Sequence, residues 1–265
     1  MNFLTELFEE GLSYSGLNSA RSALSAVVSI EGGHTCGDHP LVKRFMRGAF
    51  HLRPSTPRYA YTWDVEIVLR YLDTLEPLTE LSLKLLTLKL VTLVALTTGQ
   101  RCQSIHLMDI EYMQKTDDRY RFIIEDIIKT TRPGRNQPVL ILPKYDDNIH
   151  RCVFRTLEQY ITVTKDLRGE ISKLFISIIK PHKTVNKGSI SRWIKATLTL
   201  AGIDTFKFKP HSTRAASTSS ADRATVPITS IMKAASWERA ETFATFYNKP
   251  LQSESDFAKA VLDHK

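Results

Sequence analysis

The strongest hydrophobic signal in the chain is the run LSLKLLTLKLVTLVALTTG, from Leu81 to Gly99, where leucine and valine crowd every face of a helical wheel. Lys84 and Lys89 fall inside it, which argues for a helix buried in protein rather than one crossing a bilayer. The pattern predicts a helix from about Leu78 to Thr97, stopped by Gly99. Just upstream, Asp64 is placed to cap the amphipathic stretch VEIVLRYLDTL. Helical periodicity also marks Asn2 to Leu12, Gly16 to Ile30 and Pro40 to Phe50, with Pro40 suited to a first helical turn. Between these groups His51 to Trp63 keeps no apolar period and carries Pro54 and Pro57.

From Arg119 to Pro143 the period changes. β-branched runs flank RPGRN, so short strands and a β-hairpin are expected there, with Lys129 two residues before the turn. Helical patterning then returns over Asn148 to Leu167, Ser189 to Ala201, His211 to Ala224, Pro227 to Ala235 and Trp237 to Tyr247, the last capped by Ser236. Phe243, Phe246 and Tyr247 are spaced to share one face of that helix. The fold expected is mostly α with a small β-sheet, an α+β class. It divides into a helical segment over 1–52, a linker over 53–62 and a larger domain over 63–265.

Composition adds a direction. The formal charge is +8 across 265 residues, which favours a nucleic acid or another anionic surface as partner. Three scattered cysteines, Cys36, Cys102 and Cys152, do not make a disulfide framework and point to a reducing compartment. The acidic, amphipathic start MNFLTELFEEGL is neither a signal nor a transit peptide, and no membrane partner is expected. The stretch HTCGDH, His34 to His39, offers metal-ligand types but has no second cluster at ligand spacing, so it reads as a polar loop. Neither a phosphate loop nor a Gly-x-Ser-x-Gly elbow occurs.

The remaining candidate chemistry sits at helix starts. In FKPHSTRAASTSSA, His211 and Arg214 lie one turn apart on one face, where free backbone N–H groups already favour an anion. Alone, His-x-x-Arg is most often a surface pair. The alanine, serine and threonine that follow allow close packing behind it. In TTGQRCQSIHL, Arg101 opens the helix after Gly99. Lys129 alone reads as a solvated charge blunting a strand edge. Tyr247 stands near the end of a short helix, where a core role competes with that of a mobile nucleophile.

The order of these residues carries more than any one of them. TTGQR, IIKTTRPG, HSTR, SWERA and FY, contributing Arg101, Lys129, His211 with Arg214, Trp237 and Tyr247, resemble the tyrosine recombinases, the phage-integrase-like enzymes of DNA strand exchange. The likeness runs from Asn2 through the rest of the chain. The style of GQRCQSIHLM and FATFYNKP is most similar to recombinases of eukaryotic mobile elements of the DIRS or Crypton type. The resemblance implies that 1–52 is a shortened helical core-binding domain and 63–265 the catalytic domain.

It further implies a 3′-phosphotyrosyl intermediate formed by Tyr247, with Arg101 and Arg214 on the phosphate. His211 would accept the tyrosine proton, Lys129 would act as general acid, and Trp237 would buttress the site. Double-stranded DNA would be the partner, contacted by Arg21, Lys43, Arg44, Arg132, Arg135, Lys187 and Arg192. A homotetramer would assemble on paired sites, and a tail helix over Ser253 to Leu262 would pack on a neighbour. No metal, nucleotide or other cofactor is implied, and the location would be nuclear in a eukaryote or nucleoid-associated in a bacterium. Two departures stand out. Ser104 occupies the place where many members carry a carboxylate, with Asp109 and Glu111 as substitutes. Ten residues separate Trp237 from Tyr247, one more than is commonest in bacterial members. Two other functions compete with recombination. One is a DNA-binding derivative without catalysis; the other is type IB topoisomerase relaxation.

Overall fold

The computed structural model describes residues 2–28, 35–54, 59–128, 131–134 and 137–251. The chain forms two units, 1–58 and 59–265.

In the smaller unit, helices α1 (Asn2–Glu9), α2 (Tyr14–Val27) and α3 (Pro40–Leu52) enclose a core of Leu4, Leu17, Val42, Met46 and Ala49. Ser13 caps α2, and His39 caps α3 ahead of Pro40 in its first turn. Arg53 closes the unit: its guanidinium lies 4.0 Å above the Phe8 ring and donates to Phe8 O at 2.6 Å. Within HTCGDH, Cys36–Asp38 is a single 3₁₀ turn and Asp38 pairs with Lys43 at 3.1 Å, so these side chains serve local structure. His34 lies outside the described residues.

The larger unit is built around one helix. Asp64 accepts from the Glu66 amide and starts α4 (Val65–Asp73). The long apolar run then divides into a 3₁₀ turn at Leu78–Glu80 and α5 (Leu83–Thr98), so the expected single helix from Leu78 is corrected. The break comes from Ser82, whose hydroxyl accepts from the Leu85 amide and gives α5 its own N-cap. Most of α5 is buried, packed by α6 (Cys102–His106), α7 (Val153–Thr164), α8 (Lys187–Leu200) and α9 (Ser212–Arg223). Lys89 is fully buried and satisfied by Leu75 O at 2.8 Å and Glu76 at 2.7 Å. That pairing is how a lysine fits inside an all-apolar helix. None of the described helices is long and apolar enough to cross a membrane.

The sheet is antiparallel with order β1-β2-β3: Met113–Lys115, Arg119–Ile123 and Val139–Pro143. β2 and β3 pair with Arg119 opposite Pro143 and Ile123 opposite Val139. The connection is longer than a tight hairpin: β2 ends at Ile123 and β3 begins at Val139, with Pro133 and Gly134 in a turn between them. The last ladder-like bond runs from Ile124 N to Pro138 O, and Asp126 is then drawn away by its ion pair with Lys173 at 2.8 Å. β2 therefore ends well before position 129. Lys129 and Arg135 lie outside the described residues, as does the expected tail helix over Ser253 to Leu262.

Four smaller corrections concern helix starts and faces. Asn186, not Ser189, caps α8; its side chain accepts from the Ser189 amide. Asn148 opens a 3₁₀ turn at Ile149–Arg151 that precedes α7, so the helix expected from Asn148 begins at Val153. After α10 (Ile228–Ala234), the final helix α11 spans Ala240–Phe246 rather than starting at Trp237. Ser236 has φ of 53° and does not cap it. Instead the amides of Ser236 and Trp237 return to Lys233 O and Met232 O, the paired bonds of a Schellman close on α10. On α11, Phe243 is buried but Phe246 is 65% exposed, so the two do not share a face.

α5 ends at Gly99, which has φ of 57° and lies against α9. A Cβ there would sit 3.3 Å from Thr218 Cγ2 and 3.7 Å from the Ala235 Cβ. A Gly99→Ala variant combines left-handed strain with this crowding and is expected to lose about 1–2 kcal/mol of stability, read from urea unfolding.

Candidate active site

The first turn of α9 carries the densest chemistry in the larger unit. His211 stands at its N-cap position with helical backbone angles and no capping side-chain bond, which leaves the imidazole free to reach outward. One turn on, Arg214 is 2% exposed. The bed beneath it is made of small side chains: Ala215, Ala216 and Ser219 are buried, and the Thr218 hydroxyl bonds back to Arg214 O at 2.7 Å. Only residues of this size let α9 approach α5 and α10 closely enough to enclose a guanidinium.

Arg214 Nη2 donates to Ala235 O, but its Nε and Nη1 have no partner among the described residues. Burial without full pairing is costly for a cation. Part of the cost is offset by π-contact, with the guanidinium carbon 4.5 Å from the Trp237 ring and 5.3 Å from the Tyr247 ring. Burial, with the positive charge of Arg101 beside it, pushes the Arg214 pKa below the usual arginine range. Trp237 is also buried, and its indole N–H is unpartnered among the described residues. Three buried donors in this region thus lack acceptors, a deficit that an anion would offset.

Tyr247 occupies the C-cap of α11, its ring 4.5 Å from that of Trp237. Its hydroxyl lies 3.2 Å from His211 Nε2. His211 presents a solvent-facing edge, yet its inner face is crowded. That crowding first, then the charges of Arg214 and Arg101, lowers its pKa below the usual 6.5, so the ring is neutral at pH 7 and able to accept a proton. Arg101 stands at the N-cap of α6, half-buried, and its guanidinium forms no hydrogen bond or ion pair among the described residues.

The structure therefore brings Arg101, His211, Arg214, Trp237 and Tyr247 into one cluster. Ser104 is buried on α6, while Asp109 bonds to Ser172 at 2.9 Å and pairs with Lys173 at 3.3 Å. Asp109 therefore does not replace the absent carboxylate. Gln100 was not singled out by sequence: its amide donates to Ala234 O and Ser236 Oγ, both at 2.7 Å, tying the T-G-Q-R turn to the loop that carries Trp237. Its position between Gly99 and Arg101 was the available signal. Ser219 was likewise missed; its hydroxyl donates to Tyr247 O at 2.6 Å and accepts from the Lys249 amide at 2.9 Å.

The expected DNA contacts are dispersed. Arg44, Lys187 and Arg192 are exposed, with Arg192 bonded to Ser189 Oγ. Lys43 pairs with Asp38, Arg132 with Glu238, and Arg21 is half-buried and donates to Gly37 O at 3.3 Å. Arg21 thus does structural work between α2 and the following turn.

The fold is that of tyrosine recombinase catalytic domains. The chain is similar to the XerH site-specific recombinase bound to a palindromic difH substrate in a post-cleavage complex, at 14% identity, covering 99% of this chain and 70% of that one with a TM-score of 0.66. It is also similar to the Tn1549 transposon integrase in complex with transposon right end DNA (14%, 99% and 82%, 0.63). A third match is a lambda integrase dimer bound to a COC′ core site (17%, 96% and 80%, 0.59). The chain matches none of the curated protein sequences. Residues 68–254 match the phage integrase family model, and the chain belongs to that family.

Removing a buried, half-paired cation relieves a cost that only an anion would otherwise offset. An Arg214→Met variant is expected to gain stability in the absence of DNA, on the order of 1 kcal/mol, measured by urea unfolding.

Proposed function

We propose that this chain is an active site-specific DNA recombinase that breaks and rejoins strands through a 3′-phosphotyrosyl intermediate. The observation that carries the reading is the Tyr247 hydroxyl in contact with His211 Nε2, beside an Arg214 two of whose buried donors lack acceptors. Tyrosine is a weak nucleophile near its ordinary pKa of about 10, and proton transfer to an adjacent base is the direct remedy.

In this reading the phenolic oxygen attacks the scissile phosphorus and its proton passes to His211. Arg101 and Arg214 hold the non-bridging oxygens as negative charge builds in the five-coordinate transition state. The Trp237 indole N–H is a further donor to the same phosphate. The bond from phosphorus to the 5′ oxygen breaks, and that oxygen takes a proton from Lys129, the role the family resemblance gives it. A 5′-hydroxyl then attacks the phosphotyrosine to reseal the strand, the protons reversing their path. The covalent link keeps the phosphodiester energy, so the cycle needs no ATP, and the side-chain cations supply the charge stabilisation in place of a metal.

The helical unit over 1–52 acts as the DNA-clamping domain, with Lys43 and Arg44 toward the backbone, and a homotetramer on two duplexes performs exchange. Lys187 and Arg192 extend the DNA contact from α8, and Arg132 with Arg135 from the β2–β3 connection. Backbone contacts of this kind make affinity fall steeply with salt.

Incubation with nicked duplexes drawn from the DNA flanking its own coding sequence provides the test. Wild-type protein is expected to form a denaturant-resistant, protease-sensitive adduct, and Tyr247→Phe none, while both bind DNA equally. Binding without any adduct would favour a non-catalytic derivative; relaxation of supercoiled plasmid by a monomer would favour a topoisomerase. Because the neutral imidazole is the proton acceptor, adduct formation is expected to be constant near neutrality and to fall on acidification, with a midpoint below 6.5. A His211→Gln variant should be slower and lose that acid limb, as measured by initial rates from pH 5 to 8.

A further inference from the structure

The stretch by which the chain enters the larger unit touches both halves of the candidate site. Trp63 is buried, and its indole N–H donates to Ser212 Oγ at 2.9 Å. Ser212 is itself fully buried and lies between His211 and Arg214. The adjacent residue, Thr62, is also fully buried. Its amide donates to Pro250 O at 2.8 Å, and it pairs with Leu251 as an isolated parallel bridge just beyond Tyr247. Tyr61 extends the contact toward the loop that leads into His211. The Lys207 ammonium sits 3.8 Å from the Tyr61 ring centroid, and Phe208 meets that ring edge-to-face at 5.9 Å.

These contacts matter because α11 is a seven-residue helix, too short to hold Tyr247 in place by itself. The placement of the hydroxyl must come from what grips the chain after it. Ser219 grips that chain from α9, and Thr62 grips it from the entry stretch. The same entry stretch fixes the turn bearing His211 through Trp63 and Ser212.

We propose that Thr62 and Trp63 are positioning residues, a strap that sets the separation between the Tyr247 hydroxyl and the His211–Arg214 turn. The inference rests on the recombinase reading for its catalytic consequence and on geometry alone for the strap. Neither residue touches a reacting atom. Their effect is on the fraction of time the nucleophile and its base are in register, and small misplacements at a reacting centre are costly.

The test uses Trp63→Phe, which keeps an aromatic ring and removes the N–H, Ser212→Ala, and the double variant, all in the full chain. On the nicked duplexes that give wild-type adduct, each single variant is expected to slow adduct formation at saturating DNA by about tenfold. The DNA concentration giving half the maximal rate should stay within about twofold of wild type, and the double variant should be no slower than the worse single one. Amide exchange over Phe243 to Lys249 should quicken while that of α5 is unchanged. An unaltered rate at saturating DNA, or additive losses, would overturn the proposal. Should Trp63→Phe fail to fold, Ser212→Ala carries the same comparison. If wild-type protein forms no adduct, the recombinase reading falls alone. Exchange then decides the strap: quickened exchange in the variants upholds it, and unchanged exchange removes it.

Discussion

Enclosing the Arg214 guanidinium is the constraint on which the surrounding structure depends. A buried cation with two unpaired donors is an expensive object, and the protein tolerates it only by shaping everything nearby around it. The α9 helix supplies alanine, serine and threonine where a larger side chain would hold the helices apart. Ala235 O accepts one bond, and the Trp237 and Tyr247 rings face the guanidinium with their negative π-surfaces. Each of these compensations leaves an edge of the arginine unpaired. A core arginine in a structural role is better paired: Arg168, also buried, has Thr164 and the carbonyls of Ile171, Lys173 and Leu174 as acceptors, and only its Nε lacks a partner among the described residues.

Two helix endings then deliver the partners. Gly99 turns α5 in the left-handed region, so that Arg101 begins α6 beside the same pocket. The Schellman close after α10 throws Trp237 back toward Met232 and presents its indole to Arg214. Gln100 links the two endings by bonding to Ala234 O and Ser236 Oγ. The arginine from one turn and the tryptophan from the other are thus set by backbone closures, which are stiff, rather than by long side chains reaching across a cavity.

Much of this was legible in sequence because helix punctuation is local. Asp64, Pro40 and Gly99 act within a few residues of themselves, and each does in the structure what its chemistry suggests. The His211–Arg214 spacing on one turn was legible for the same reason. What escaped depends on distant partners. Ser236 has the chemistry of an N-cap, yet the closing of α10 claims its backbone first. Phe246 matched the spacing of a buried face, but only Phe243 has a neighbour to pack on. Asp109 looked available to stand in for a carboxylate until Ser172 and Lys173, more than sixty residues on, proved to hold it. Gln100 had only its place between Gly99 and Arg101 to mark it and Ser219 had no local signal; their roles exist because α9, α10 and the chain after Tyr247 meet.

On the recombinase reading, the placement of Tyr247 combines two opposing needs. A nucleophile must approach a phosphate and later release it, which favours a residue at a helix end rather than in its interior. It must also meet its base closely, which favours order. The structure separates the two along the chain: α11 is short and ends at Tyr247, while the residues immediately after are held by Ser219 and by Thr62. Restraint applied beyond the tyrosine fixes the main chain, while the side chain is held by the non-covalent contacts of Trp237 and His211. In the proposed mechanism the hydroxyl would pass from His211 to phosphorus through side-chain torsions, with no helix to unwind. On the recombinase reading proposed above, that division keeps both directions of the reaction accessible.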